Sequence, residues 1–193
     1  MFAVRIHGRG GQGVVTAAEM LSIAAFEQGK HAQAFPTFGS ERTGAPVTSF
    51  CRIDERPIRV REPISRPDAL IVQDPTLLHQ VDLFSGLGDD GWFLLNTSRG
   101  FGELGLDEIV ERLGPGRALT MPASELAREH LGRPLPNAVL LGAFAALTGV
   151  VSMDAVAKAI GDKFKGSVAD ANELAARRAW DLVEERTGEV ARA

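Results

Sequence analysis

The chain has 193 residues, 45% hydrophobic and 24% charged, with a formal net charge of −4, enough for one domain with a substantial core. The acidic balance argues against a general nucleic-acid or membrane-surface binder, because both need a cationic face. A single cysteine, Cys51, excludes an internal disulfide and a four-thiolate cluster held by this chain alone. No apolar run reaches the ~18 residues of a bilayer span.

Residues 2–7 read as a strand that starts almost at the N-terminus, not as a secretory leader, which gives the cytoplasm as the expected compartment. A glycine-rich turn leads into a helix from about Gly13 to Gln28, with Gly29 placed to cap its C-terminus. His31–Phe35 is a short second strand, followed by a polar loop over 36–46. Residues 47–53 and 57–61 are strand-like, and Asp54-Glu55-Arg56-Pro57 between them suggests a hairpin turn. Cys51 falls in the first of these runs and reads as a small packing residue.

Residues 69–73 and 91–96 are apolar runs of the kind covered on both faces, with a helix expected over 75–84 between them. Residues 107–113 give a short helix and 118–121 a strand. Further helices are expected at 124–131 with Ser124 as cap, 137–148 with Asn137 as cap, 152–160 with Ser152 as cap, and 169–186. Strands alternating with helices, plus one hairpin, indicate a single domain over 1–193. Its expected class is α/β: a three-layer α/β/α, Rossmann-like domain with a mostly parallel mixed sheet.

Two segments carry the candidate chemistry. Gly8-Arg9-Gly10-Gly11-Gln12-Gly13 follows a strand and opens a helix, the context in which glycines let backbone approach a ligand and free N–H groups favour an anion. Gly8, Gly10 and Gly13 match the dinucleotide pattern, but the acidic residue expected after the second strand is absent from His31–Phe35. A glycine turn that only packs strand on helix is the bland alternative, set against the polar Arg9 and Gln12. The second segment is the loop holding Thr37, Gly39, Glu41, Arg42, Thr43 and Gly44. In a doubly wound sheet it leaves the second strand on the same edge as the glycine turn, where ligands bind. Arg42 offers a fork of donors for phosphate that Glu41 could orient, with a solvated surface pair as the alternative. The four histidines lack metal-ligand spacing, and Gly88-Asp89-Asp90-Gly91 reads as a turn.

G-R-G-G-Q-G at 8–13, F-G-S-E-R-T-G-A-P-V at 38–47 and N-A-V-L-L-G-A at 137–143 together resemble the gamma subunit of pyruvate:ferredoxin oxidoreductase and its 2-oxoacid relatives, over about residues 2–185. The resemblance implies a subunit without catalytic residues of its own, in an enzyme that converts a 2-oxoacid and coenzyme A to acyl-CoA and carbon dioxide and passes electrons to ferredoxin. It implies a role in coenzyme A binding and assembly for Gly8, Arg9, Gly10, Gly11, Gln12, Gly13, Thr37, Gly39, Glu41, Arg42, Thr43 and Gly44. Thiamine diphosphate, magnesium and [4Fe-4S] clusters are then expected in partner chains. Those partners are alpha and beta subunits, with a delta subunit as a further candidate and ferredoxin or an NAD-reducing subunit as electron acceptor. No nucleic acid and no membrane is expected as partner. Pyruvate is the default substrate. A gamma subunit of an aryl- or branched-chain 2-oxoacid dehydrogenase, NAD-linked as in the phenylglyoxylate type, and a free-standing Rossmann-like nucleotide-binding protein are the alternatives.

Overall fold

A computed structural model of the chain describes residues 1–37 and 43–190. Six strands, β1 (Phe2–Arg9), β2 (His31–Pro36), β3 (Pro46–Asp54), β4 (Ala69–Val72), β5 (Trp92–Asn96) and β6 (Ala118–Met121), form one sheet in the order β2-β3-β1-β4-β5-β6. The run β1-β4-β5-β6 is parallel, while β3 is antiparallel to both of its neighbours. The helices are α1 (Val14–Glu27), α2 (Asp107–Leu113), α3 (Ala123–Leu131), α4 (Asn137–Thr148), α5 (Met153–Lys163) and α6 (Ser167–Val190). The expected α/β class with a mostly parallel mixed sheet is thus the fold observed.

The two faces of the sheet separate by strand alternation. Val4, Ile6, Cys51, Ile53, Ala69, Ile71 and Leu94 face a large core built with α1, α3, α4, α5 and α6. Leu70, Val72, Phe93 and Leu95 face the other way, into a smaller core closed by Leu77, Leu83, Leu87, Leu106 and Leu113, the last from α2. Helix α4 is buried almost all round, and an added Cβ at Gly142 would stand 2.1 Å from the Ala176 carbonyl of α6. No larger residue fits there without separating the two helices. Cys51 is fully buried, and burial pushes its thiol up to about 12, the behaviour of a packing residue.

The hairpin expected between 47–53 and 57–61 does not form. Strand β3 already has β1 on one side and β2 on the other, so no ladder edge is left for a returning strand. Residues 57–61 instead run as irregular chain, and Ile64 tucks against Ala3 and Phe50 on the second face of the sheet. The Arg52 guanidinium, buried on that face, donates to the Glu62 carbonyl and stacks 5.0 Å from the Phe35 ring centre. The antiparallel pair of strands consecutive in the chain is β2 and β3 instead.

Three helix starts also differ; at α4 the cap position is Pro136, and Asn137, expected as the cap, is the first helical residue and makes no cap bond. Residues 75–84 give only a 3-10 turn, Pro75–His79, capped by Asp74. Helix α3 begins at Ala123, and its cap comes from another strand: Asn96 Oδ1 accepts from the Ser124 N–H at 3.0 Å, while Asn96 Nδ2 donates to Ser124 Oγ at 2.8 Å. Ser152 caps α5 as expected, accepting from the Ala155 N–H at 3.2 Å. Gly88–Gly91 forms the turn into β5, closed by a Gly91 N–H to Gly88 carbonyl bond of 3.0 Å.

His7, buried in β1, has a pKa lowered to about 4, first by desolvation and then by the charge of Arg5. Its folded pKa lies below the ordinary value of 6.5, so between the two only the unfolded chain takes up the proton. Stability should therefore be full above about pH 6.5, fall as pH drops toward 4 by up to roughly 3 kcal/mol, and change no further from this group below that. Urea unfolding between pH 7 and pH 4 should show the fall, and His7→Gln should flatten it.

Candidate functional site

Because β2 and β1 run parallel across the intervening β3, their C-terminal ends meet on one edge of the sheet. The glycine turn and the 37–45 loop are joined there. Gly10 N–H donates to the Ala45 carbonyl at 2.9 Å, and Gly44 N–H donates to the Gly10 carbonyl at 3.1 Å. The Thr37 hydroxyl donates to the Thr48 carbonyl at 3.0 Å, and Thr43 makes a parallel bridge to Gly10. Gly39, Glu41 and Arg42 lie outside the described residues.

The side chains of the turn converge on Asp74, just past the end of β4. Gln12 Nε2 donates to Asp74 Oδ2 at 2.8 Å, and Gln12 Oε1 accepts from the Arg9 N–H at 2.8 Å. Arg9 Nε donates to the same carboxylate at 3.1 Å. Its other nitrogens reach the Gly44 carbonyl at 3.0 Å, Thr76 Oγ1 at 2.7 Å and Gln80 Oε1 at 2.8 Å. Burial pushes the Asp74 carboxyl up, but bonds from the Thr76 hydroxyl, Gln12 and the Thr76 N–H, with the charge of Arg9, hold it below the ordinary carboxylate value. The sequence suggests that Arg9 and Gln12 face a ligand; in the structure their polar groups face this carboxylate and fix the turn.

The turn itself is shaped by three glycines with different tasks. Gly8 sits where a Cβ would stand 2.6 Å from Val14 Cγ2, so strand and helix touch there. Gly11 has φ +93° and faces open space. Gly13 has φ +72° and lies directly under Asn137, whose Nδ2 would be 2.5 Å from an added Cβ. This geometry leaves the first N–H groups of α1 without intrahelical partners, as at any helix start.

A cavity of about 610 Å³ lies between the start of α1, the loop from α3 to α4, and the α5–α6 junction. Gly11, Gly13 and Thr16 line one end, with His130 and Arg133 at another part of the wall. Arg133 is exposed and forms no ion pair among the described residues. Leu135, Phe164 and Val168 supply apolar surface. Asn137 and Asn172, 5% and 2% exposed, line it too. Asn137 Oδ1 accepts from the Ala138 N–H and Asn172 Nδ2 donates to the Val168 carbonyl, while the other half of each amide has no partner among the described residues. A smaller cleft of about 310 Å³ on the side of Arg9 and Val47 shares Gly11, Gly13 and Thr16.

Residues 3–182 match the family model described as pyruvate ferredoxin/flavodoxin oxidoreductase. The chain belongs to that family. It is 48% identical over 184 residues to pyruvate synthase subunit PorC of Methanothermobacter thermautotrophicus, covering 95% of this chain and 97% of the relative. It is 47% identical to the pyruvate/ketoisovalerate oxidoreductases common subunit gamma of Pyrococcus abyssi, covering 94% and 96%. The crystal structure of pyruvate oxidoreductase subunit PORC from Thermotoga maritima superposes with a TM-score of 0.78 at 38% identity, covering 93% of this chain and 95% of that one. Within the pyruvate ferredoxin/flavodoxin oxidoreductase family this is a gamma-type chain, a subunit of a larger oxidoreductase.

Sequence reasoning treats Asn137 as a helix cap and passes over Asn172, Thr16, His130 and Arg133. The available signal is the motif at 137–143, whose first residue turns out to rest on the glycine turn. Among the described residues, no group of three or more metal-ligating side chains occurs, and no helix is long and apolar enough to cross a membrane.

The contrast between Gly11 and Gly13 gives a test. Gly11→Ala should cost only the left-handed backbone strain, about 1–2 kcal/mol. Gly13→Ala should cost more, because its methyl also meets the Asn137 amide, and Asn137→Ala in the same chain should recover part of that excess. Equal costs for the two glycines in thermal unfolding would mean that the Asn137 contact does not constrain the turn.

Proposed function

We propose that this gamma chain binds coenzyme A for the oxidoreductase, over the glycine turn and the cavity beside it. The observation that carries the reading is one surface that joins the start of α1, where helix N–H groups lack intrahelical partners, to the half-bonded amides of Asn137 and Asn172 and an apolar wall. Coenzyme A has the matching parts: an anionic pyrophosphate, an amide-rich arm and a terminal thiol. Arg9 and Gln12 act through the shape of the turn. Arg133 supplies charge from the cavity wall, and Arg42, in the sequence segment with Gly39, Glu41, Thr43 and Gly44, is the second cation assigned to the ligand.

The reaction served is the oxidation of a 2-oxoacid with coenzyme A, giving acyl-CoA, carbon dioxide and two electrons for ferredoxin. Pyruvate is the proposed substrate. The [4Fe-4S] clusters belong to partner chains, because one buried cysteine cannot ligate a four-thiolate cluster; thiamine diphosphate and magnesium are assigned with them to alpha- and beta-type partners, with a delta-type chain as a further candidate. The Pyrococcus relative is named as common to pyruvate and ketoisovalerate oxidoreductases. A shared gamma chain fits a division in which the 2-oxoacid pocket lies in other subunits.

Steady-state kinetics of the reconstituted complex, each substrate varied in turn, tests the reading. A charge-assisted contact contributes about 1.5–3 kcal/mol, so Arg133→Ala and Arg42→Ala should each raise the KM for coenzyme A by roughly 10- to 150-fold. The KM for pyruvate should stay unchanged, and Arg42→Lys should recover only part of the loss, since an ammonium lacks the guanidinium fork. A shift in only one of the two variants would assign the phosphates to that arginine. An unchanged coenzyme A KM in both would remove the binding role from this chain.

A further inference from the structure

Strand β2 ends the sheet, and among the described residues only β3 pairs with it. The Thr37 N–H donates to the Thr48 carbonyl, which sets the ladder phase. By the alternation of an antiparallel pair, Gln33 and Phe35 then bond inward to β3, while the N–H and carbonyl groups of Ala32 and Ala34 point outward. Pro36, which has no N–H to offer, falls in the same outward phase. The opposite edge, at β6, is partly closed by Arg186, whose Nη1 donates to the Thr120 carbonyl at 2.9 Å.

Open edges are normally guarded by charges or covered. Here the side chains of β2 carry no lysine, arginine or carboxylate, and a groove of about 390 Å³ follows the strand, lined by Phe26, His31, Ala32, Gln33, Pro57 and Ile58. Phe26 is 71% exposed at the end of α1, and Gln33 Oε1 is buried with no partner among the described residues. Around Ile58 the chain is net basic, with four arginines against the exposed Glu55 and Glu62. Arg56, Arg59, Arg61 and Arg66 are exposed, and none takes part in an ion pair among the described residues of a protein whose net charge is −4.

We infer that the outer edge of β2 receives an extended, acidic strand from a partner subunit, which continues the sheet. The backbone of Ala32 and Ala34 supplies the ladder bonds. Apolar side chains of the added strand pack on Phe26, and its carboxylates meet Arg59 and Arg61. Residues 57–61, strand-like in sequence yet excluded from the sheet, then serve as the charged wall of the groove. This surface is separate from the cavity beside the glycine turn.

The probe is a labelled, end-capped octapeptide of alternating Val and Glu, followed by fluorescence anisotropy with the full chain at low salt. It should bind the isolated chain at least about tenfold more tightly than the Val-Lys counterpart, because like charges on the arginine wall oppose the latter. Arg59→Glu with Arg61→Glu, both on exposed positions, should remove that preference. A peptide N-methylated at alternate residues keeps its charge and should lose binding. Equal binding of the N-methylated peptide would overturn the strand addition and leave a patch for polyanions of any shape. Binding that persists undiminished in the assembled oxidoreductase would overturn the assignment to a partner subunit. Self-association of the chain abolished by Ala34→Pro would show that a second copy occupies the edge, and would overturn the proposal as well.

Discussion

The carboxylate of Asp74 is the point on which the glycine-turn edge of this protein depends. It lies beyond the end of β4, receives both Gln12 and Arg9 from the turn after β1, and caps the 3-10 turn at Pro75 through the Thr76 N–H. One anion thereby ties two parallel strands and the start of a helix into a fixed arrangement. Its bonds are charge-assisted and half-buried, so each is stronger than a surface ion pair. The cost of burying the carboxylate is offset by four donors, and its depressed pKa is the sign that the bonds prevail.

That constraint explains how the polar groups of the glycine segment divide. The side chains are directed at the protein, and what they leave for a ligand is backbone. With Gly11 and Gly13 both in the left-handed region, the chain turns from strand to helix within a few residues, and the N–H groups of the first turn of α1 stay open. Asn137 then limits the site from above, since it begins α4 and rests its amide on Gly13. Helix α4 is in turn held against α6 at Gly142. The position of the cavity wall is therefore set by packing in the interior of the helical layer and not by the surface loops around it.

The uneven covering of the sheet suits a subunit. One face carries five helices, whereas the opposite face is closed by α2, short turns and the irregular 55–66 segment. Over β1, β3 and β2 that second face holds Arg5, His7, Arg52 and Gln33, with several buried nitrogens and oxygens lacking partners among the described residues. Arg5 does reach two carbonyls, those of Leu83 and Ser85, both at 2.7 Å. Buried polar atoms without partners reduce the stability of the lone chain.

Much was legible in the sequence because it is local. The apolar runs at 69–72 and 92–96, the stripe of α1, Gly29 after its end and Ser152 before α5 follow from periodicity and cap chemistry alone. The glycine pattern and the loop after β2 fall at the same end of the sheet, as expected, since topology places both at strand C-termini. What sequence could not decide was which neighbour each segment would find. Residues 57–61 have the alternation of a strand, but β3 had no free side to give them. Ser124 looks like a cap, yet Asn96 from β5 caps that helix. Arg9 and Gln12 look like ligand contacts, yet Asp74, 62 and 65 positions away, claims them. In each case the local preference was real, and a long-range partner with stronger or prior claim on the same hydrogen bonds decided the outcome.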